Sequence, residues 1–557
     1  MSKKRFYRFV YWVGFLFILT VTSSGQGVYE AWVASYNGPG NYDDYASALA
    51  IDASGNVYVT GRTWSGTSFD YATIKYDSNG DSLWVRHYNG PPDYYDYASA
   101  LAVALAVDAS GNVHVTGTSW NGLSYDYATI KYDSNGDSLW VRRYKGPGGN
   151  YGEAAPALAV DASGNVYVTG SSYCCGPGGS FNYTTIKYNS NGNLLWERHY
   201  NGPGNDYPDN IDIASALAVD ASGNVYVTGR SYGSGTNYDY ATIKYAPNGD
   251  TLWVRRYNGP GNGFDEAIAL AVDDSGNVYV TGQSGGAGTN SDYATIKYAD
   301  NGDSLWVRRY NGPSNSYDDA SALAIDASGN VYVTGRSWSG TSYDYATIKY
   351  DSNGDTLWVR RYNGPGNGFD EAIALAIDAS GNVYVTGRSW SGTSYDYATI
   401  KYDSNGDTLW VRRYNGPSNS YDDASALAID ASGNVYVTGE TVVEIYLDYA
   451  TVKYSPCSAI PGDVNSSGTI TLGDIVHLLN YLFDRDNPPC IGIDPGNCWD
   501  FGLTCRGDVN NSASITLGDV VHLLNYVFDR DNPPCLGIDP GNCWTPEQSG
   551  GCCQPLP

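Results

Sequence analysis

The chain has 557 residues, with 59 Asp and Glu against 32 Lys and Arg and a net charge of −27. So acidic a surface sets aside nucleic acid and anionic membranes as electrostatic partners.

The N-terminus carries Lys3, Lys4, Arg5 and Arg8, then an apolar run from Phe9 to Val21 and the small residues Thr22, Ser23, Ser24 and Gly25. This order predicts a signal peptide over residues 1–25, too short in its apolar part to span a membrane. The expectation is a secreted protein, extracellular or at the cell surface, with no membrane span once the signal is removed.

A repeat begins next. DASGNVYVTG or a close variant starts at Asp52, Asp108, Asp161, Asp220, Asp273, Asp326, Asp378 and Asp430, at spacings of 52 to 59 residues. Around it four short segments recur in fixed order: ALAID, NVYVTG, DYATIKY and LWVRRYNG. Alternation and β-branched and aromatic enrichment read as strands. DASGN and DSNGD supply tight turns with a glycine free to take positive φ. Four antiparallel strands per period predict one blade of a β-propeller.

After the eighth copy the third strand appears, from Asp448 to Ser455, and no LWVRRY segment follows it. The missing segment stands at the other end, as EAWVASYNGP from Glu30 to Pro39. The reading is an all-β, eight-bladed propeller over residues 28–455, its N-terminal strand closing the last blade and removing the free edge. These units resemble the SBBP family of bacterial β-propeller repeats in their DxSGNxYVTG core, DYATIKY and WxRxY segments. The resemblance implies a propeller in secreted or surface proteins and implies no reaction.

The joins from second to third strand and from blade to blade vary most and emerge on one face. They carry Trp64, Trp120, Tyr173, Tyr232, Trp338 and Trp390 in one set and Tyr42, Tyr94, Tyr95, Tyr207, Phe264, Tyr317, Phe369 and Tyr421 in the other. Placed in loops, the first set forms a candidate ligand face for glycans or a protein partner; the competing role is packing neighbouring blades together. Catalysis has little support. The carboxylates sit in repeated turns, His87, His114 and His199 each replace an Arg or Tyr of a standard strand, and no catalytic residue is assigned.

The last hundred residues differ in kind. Cys457, Cys490, Cys498, Cys505, Cys535, Cys543, Cys552 and Cys553 crowd there, as expected of disulfides in an exported segment. CIGIDPGNCW and CLGIDPGNCW share a spacing that pairs Cys490 with Cys498 and Cys535 with Cys543; the other connectivities stay open. Zinc is the alternative, but His477 and His522 fall in no ligand spacing with the cysteines. Two loops present oxygen donors at positions 1, 3, 5, 7 and 12, the set a calcium ion takes. They are Asp463, Asn465, Ser467, the Thr469 carbonyl and Asp474, then Asp508, Asn510, Ser512, the Ser514 carbonyl and Asp519. Gly468 makes the bend in the first loop and Ala513 stands there in the second. Each loop runs into an amphipathic helix, the first with Ile475, Leu478, Leu479 and Leu482 at helical spacing.

Paired half-EF-hands of this kind resemble a type I dockerin. The resemblance implies a small α-helical, calcium-binding, dockerin-like domain over residues 456–545, a tail over 546–557, and a cohesin-like or other extracellular partner. Loop positions 10 and 11, Leu472 and Gly473, then Leu517 and Gly518, depart from the residues that help choose a cohesin. The whole reads as a secreted, non-enzymatic binding or assembly protein with calcium-dependent docking. The alternatives are a glycan-degrading enzyme or accessory subunit of a polysaccharide-degrading complex, and a structural surface repeat protein.

Overall fold

The computed structural model describes residues 28–90, 100–148, 154–174, 180–204 and 211–456. The expected signal peptide, both calcium loops, their helices, the paired cysteines and Tyr94, Tyr95 and Tyr207 lie outside these residues.

Both repeated turns are held by an aspartate that bonds its own loop. In DASGN, Asp52 Oδ1 accepts from the Ser54 and Asn56 backbone N–H groups at 2.9 Å each. Its Oδ2 accepts from Asn56 Nδ2 at 2.7 Å and from the Tyr58 hydroxyl at 2.9 Å. Burial pushes the Asp52 carboxyl up, but these hydrogen bonds to the charged form hold it below its ordinary value. Gly55 makes the reversal at φ 79°. In DSNGD, Gly80 stands at φ 90°, and a Cβ there would come within 2.7 Å of Trp32, so conformation and space both demand glycine.

The turns fold each period into one antiparallel, four-stranded sheet, and the described residues form eight such sheets. The first comprises Tyr45–Ile51, Val57–Trp64, Phe69–Tyr76 and Ser82–Tyr88. The first strands of successive sheets neighbour one another around the ring, the last meeting the first, which makes the body an eight-bladed β-propeller. Glu30–Tyr454 forms one compact unit.

No blade owns its core. Tyr58, Tyr71 and Trp84 of the first blade pack against Val113, Val115, Ala128, Ile130 and Tyr132 of the second. The Tyr71 hydroxyl donates to the Ala128 carbonyl at 3.3 Å, and the Trp84 indole N–H donates to the Ser134 carbonyl at 3.2 Å. Buried Lys75 donates to that same carbonyl at 3.1 Å, its ammonium 5.2 Å from the centre of the Tyr58 ring. Matching staples recur around the array, so the array folds as a ring of interfaces.

The ring closes through its N-terminal strand. Val28–Tyr36 pairs with Tyr446–Pro456 as the outer strand of the sheet that also holds Asp422–Ile429 and Val435–Val443. Trp32 donates to the Ser78 carbonyl of the first blade at 3.1 Å, and Lys453 donates to it at 2.9 Å. The sequence expectation of a permuted closing strand is therefore met, staple included.

Candidate functional site

The six aromatic candidates do not lie in loops. Each stands at or near the end of a second strand, opposite a residue of the third: Trp64 with Phe69, Trp120 with Tyr125, Tyr173 with Phe181, Tyr232 with Tyr238, Trp338 with Tyr343 and Trp390 with Tyr395. All six pairs meet edge to face, with centroids 5.0 to 5.5 Å apart. Join glycines lie on four of these rings, Trp64, Tyr173, Tyr232 and Trp390: a Cβ at Gly368 would come within 2.3 Å of Trp390, and one at Gly40 within 2.4 Å of Trp64. The placement expected from sequence is corrected on this point. The period-two pattern extends three residues further than the glycine-rich context implied, and the four rings capped by backbone have little open face for stacking.

The second aromatic set links the blades. Phe369 touches Tyr343 of the preceding blade at 5.3 Å, Tyr421 touches Tyr395 at 5.8 Å, and Phe264 touches Tyr238 at 5.5 Å. Tyr42 and Tyr317 keep 43% and 51% of their surface exposed, and among the described residues these are the rings of this set open to a partner.

Towards the axis, the same face carries a belt of charge that the sequence reading passed over. The residue after the strand-two glycine faces the first strand, giving the pairs Ile213 with Arg230, Asp319 with Arg336, Glu371 with Arg388 and Asp423 with Glu440. Ion pairs run around it from blade to blade. Arg230 reaches Glu266 at 3.2 Å, Arg336 reaches both Asp319 at 2.9 Å and Glu371 at 3.2 Å, and Arg388 reaches both Glu371 at 2.8 Å and Asp423 at 3.2 Å. The first blade contributes Arg62, stacked 3.9 Å above the Tyr45 ring.

The belt breaks its own rule in the eighth blade. Glu440 stands where four other blades have arginine, directly opposite Asp423. Burial, then the Asp423 charge, raise the Glu440 carboxyl to about 7 against the pull of Arg62 and Arg388. Burial also raises Asp423, which Arg388 and the Tyr421 hydroxyl draw back. The signal was legible in the sequence, where TGRSW becomes TGETV in the last copy.

The histidines serve the framework. His114 is fully buried, bonds Asp108 through Nε2 at 3.2 Å where other blades use tyrosine, and is driven down to about 4, chiefly by burial. His199 meets Thr184 at 2.9 Å and Glu197 at 3.3 Å. On the opposite face, grooves of about 410 to 470 Å³ open between the DASGN turns of neighbouring blades, floored by pairs such as Lys297 and Tyr279. Among the described residues, no cluster of three or more His, Cys, Asp or Glu side chains is arranged to hold a metal.

A family model described as Beta-propeller repeat (SBBP) matches residues 34–70, 252–288, 305–343 and 409–445. Each window runs from a fourth strand into the next blade. The regulatory protein FlaEY of Caulobacter vibrioides is 33% identical over 147 residues, which is 24% of this chain and 14% of that protein. Thus the chain spans only a small part of this relative's length. Among solved structures, Sqt1 of Chaetomium thermophilum bound to the N-terminus of the ribosomal protein L10 is 10% identical, with a TM-score of 0.47, and the match covers 77% of this chain and all of that one. The polysaccharide lyase Uly1 is 10% identical, with a TM-score of 0.38, covering 73% of this chain and 89% of its own.

Proposed function

We propose that this β-propeller repeat protein is an exported binding or scaffold component that holds a protein partner on its join face, over the charged belt and the exposed Tyr42 and Tyr317. The observation that carries this reading is the state of the belt's polar atoms. Nε of Arg62, Arg230 and Arg388 and Oδ1 of Asp319 are buried there without a hydrogen-bond partner among the described residues. Native interiors rarely leave such groups unpaired; these atoms are sealed from solvent, and what a partner can reach is the guanidinium groups of Arg230, Arg336 and Arg388, whose side chains stay 26 to 30% exposed at the mouth. Residues 456–545 are proposed to add a calcium-dependent docking module for a second extracellular protein.

The test is to array the full chain against extracellular proteins and glycans, and to repeat each hit with Tyr317→Ala and Glu440→Arg. Loss of binding without a fall in melting temperature supports the reading, and binding indifferent to both variants refutes it. Glycan cleavage is the second reading. It is favoured by Glu440, which holds a proton near neutral pH beside the Asp423 carboxylate, the acid and base types such hydrolysis employs. Sugar release that Glu440→Gln abolishes would establish it.

A further inference from the structure

Five blades grip an arginine in the same way. In the sixth, Arg361 Nη1 donates to the Tyr310 hydroxyl of the preceding blade at 3.0 Å and to Ser337 Oγ at 2.5 Å. Its Nη2 donates to the Ser337 carbonyl at 2.9 Å and to Asp344 Oδ2 at 3.0 Å. Arg143, Arg256, Arg309 and Arg413 each find the same set: a tyrosine hydroxyl, a serine hydroxyl and carbonyl, and an aspartate. The fork geometry of these contacts is what a planar guanidinium matches and an ammonium does not.

The eighth blade keeps the acceptors and lacks the arginine. Its fourth strand is the N-terminal one, and AWVASY aligned with LWVRRY places Ser35 where Arg361 stands. The alignment is structural as well: Trp32 makes the indole bond of its class, and Tyr36 meets Tyr449 at 5.4 Å as Tyr362 meets Tyr345 at 5.5 Å. Tyr414, Thr441 and Asp448 occupy the positions of Tyr310, Ser337 and Asp344, and Asp448 faces Thr441 in the register in which Asp344 faces Ser337.

Asp448 has lost both of its usual donors. Ser342, whose hydroxyl bonds Asp344 at 3.0 Å, is replaced by Tyr446. Asp448 is only 4% exposed, and among the described residues nothing donates a hydrogen bond to it. Burial first, then the charges of Asp44 and Glu444, raise it to about 7. Two other blades also lack the arginine, and both compensate. His87 bonds Tyr36 at 3.1 Å in the first, while in the third His199 comes with Asn182 in place of the aspartate.

We infer that the Tyr414, Thr441 and Asp448 socket of the closing blade binds a guanidinium group supplied from outside the propeller, the recognition that five other blades perform within the chain. The inference is independent of the join-face reading. The way in is the path that the resident arginines occupy, each 21 to 25% exposed in its socket, and Ser35, where that path begins, is itself exposed. The methyl that Thr441 adds is far smaller than the guanidinopropyl chain that Ser35 omits. The Thr441 hydroxyl donates to Asp422, which leaves its lone pairs, like the carbonyl, to accept.

The intact chain is titrated calorimetrically with methylguanidinium, with lysine, and with a blocked Gly-Arg-Gly peptide at constant ionic strength. One site of roughly millimolar affinity is expected for methylguanidinium, with lysine inactive. Tighter binding of the peptide identifies a protein side chain as the source, and equal binding identifies small guanidines. Asp448→Asn should weaken binding by at least about tenfold. Ser35→Arg should abolish binding and raise the melting temperature, and Arg361→Ser should create a second site. No binding to the unaltered chain, binding shared with lysine, or binding retained by Asp448→Asn or Ser35→Arg overturns the inference.

Discussion

Removing Val28–Tyr36 tests the closure of the ring. The deletion takes away the Trp32 ring, which lies 6.3 Å from Tyr76 and 6.0 Å from Tyr436 and thus bridges the first and eighth blades. Loss of a packed tryptophan costs about 3–5 kcal/mol. The Tyr36 edge contact with Tyr449 adds about 1 kcal/mol, and the indole bond to Ser78 about 1 kcal/mol more. A total on the order of 6 kcal/mol is a large part of the 5–15 kcal/mol that usually holds a domain together. Deletion also bares Tyr446–Pro456 as an unpaired edge, so the truncated chain should associate. Urea unfolding followed by tryptophan fluorescence, with size-exclusion chromatography, measures both effects. Trp358→Ala is the matched control, because Trp358 makes the same indole bond at 3.2 Å inside an unbroken blade; it should lose stability and stay monomeric. A truncated chain that unfolds at the intact midpoint and elutes as a monomer would refute the closure argument.

Three further outcomes are expected. Glu440 holds its proton to about 7 in the folded state against an ordinary 4.5, so its contribution is present at low pH and lost as pH rises between those values. At about 1.4 kcal/mol for each pH unit the loss is at most about 3.5 kcal/mol, reduced by solvent at the mouth; Glu440→Gln should match the unaltered chain near pH 4 and exceed it at pH 8, and parallel stability curves would count against it. Trp390→Ala should cost about 3 kcal/mol in thermal unfolding, because Gly366, Gly368 and Tyr395 pack on that ring, whereas a ligand platform would lose binding and keep its stability. Calorimetric titration of the full chain with calcium should show two events, the tighter removed by Asp463→Ala and the weaker, by roughly several-fold, belonging to the loop that must bend at Ala513; silence at millimolar calcium would remove the docking module.

The blade count, the strand order and the closing N-terminal segment were legible in the sequence alone. Each follows from local chemistry repeated eight times: an aspartate that bonds its own turn, a glycine at positive φ, and strands with a period of two. The supernumerary EAWVASYNGP at one end and the missing LWVRRY at the other admit one closed arrangement. Tertiary structure decided what the side chains are for. Trp64 and Trp390 look alike in sequence whether they face solvent or a glycine backbone, and only the join folded onto them shows the second. Arg336, Arg388, Asp423 and Glu440 lie on different strands and blades, and their belt exists only when the ring brings first and second strands to one mouth. The Asp448 socket needed both levels. Ser35 and Asp448 stand more than four hundred residues apart in the chain, and circular closure alone seats them in one blade, where the loss of a cation at one leaves the carboxylate of the other without its partner.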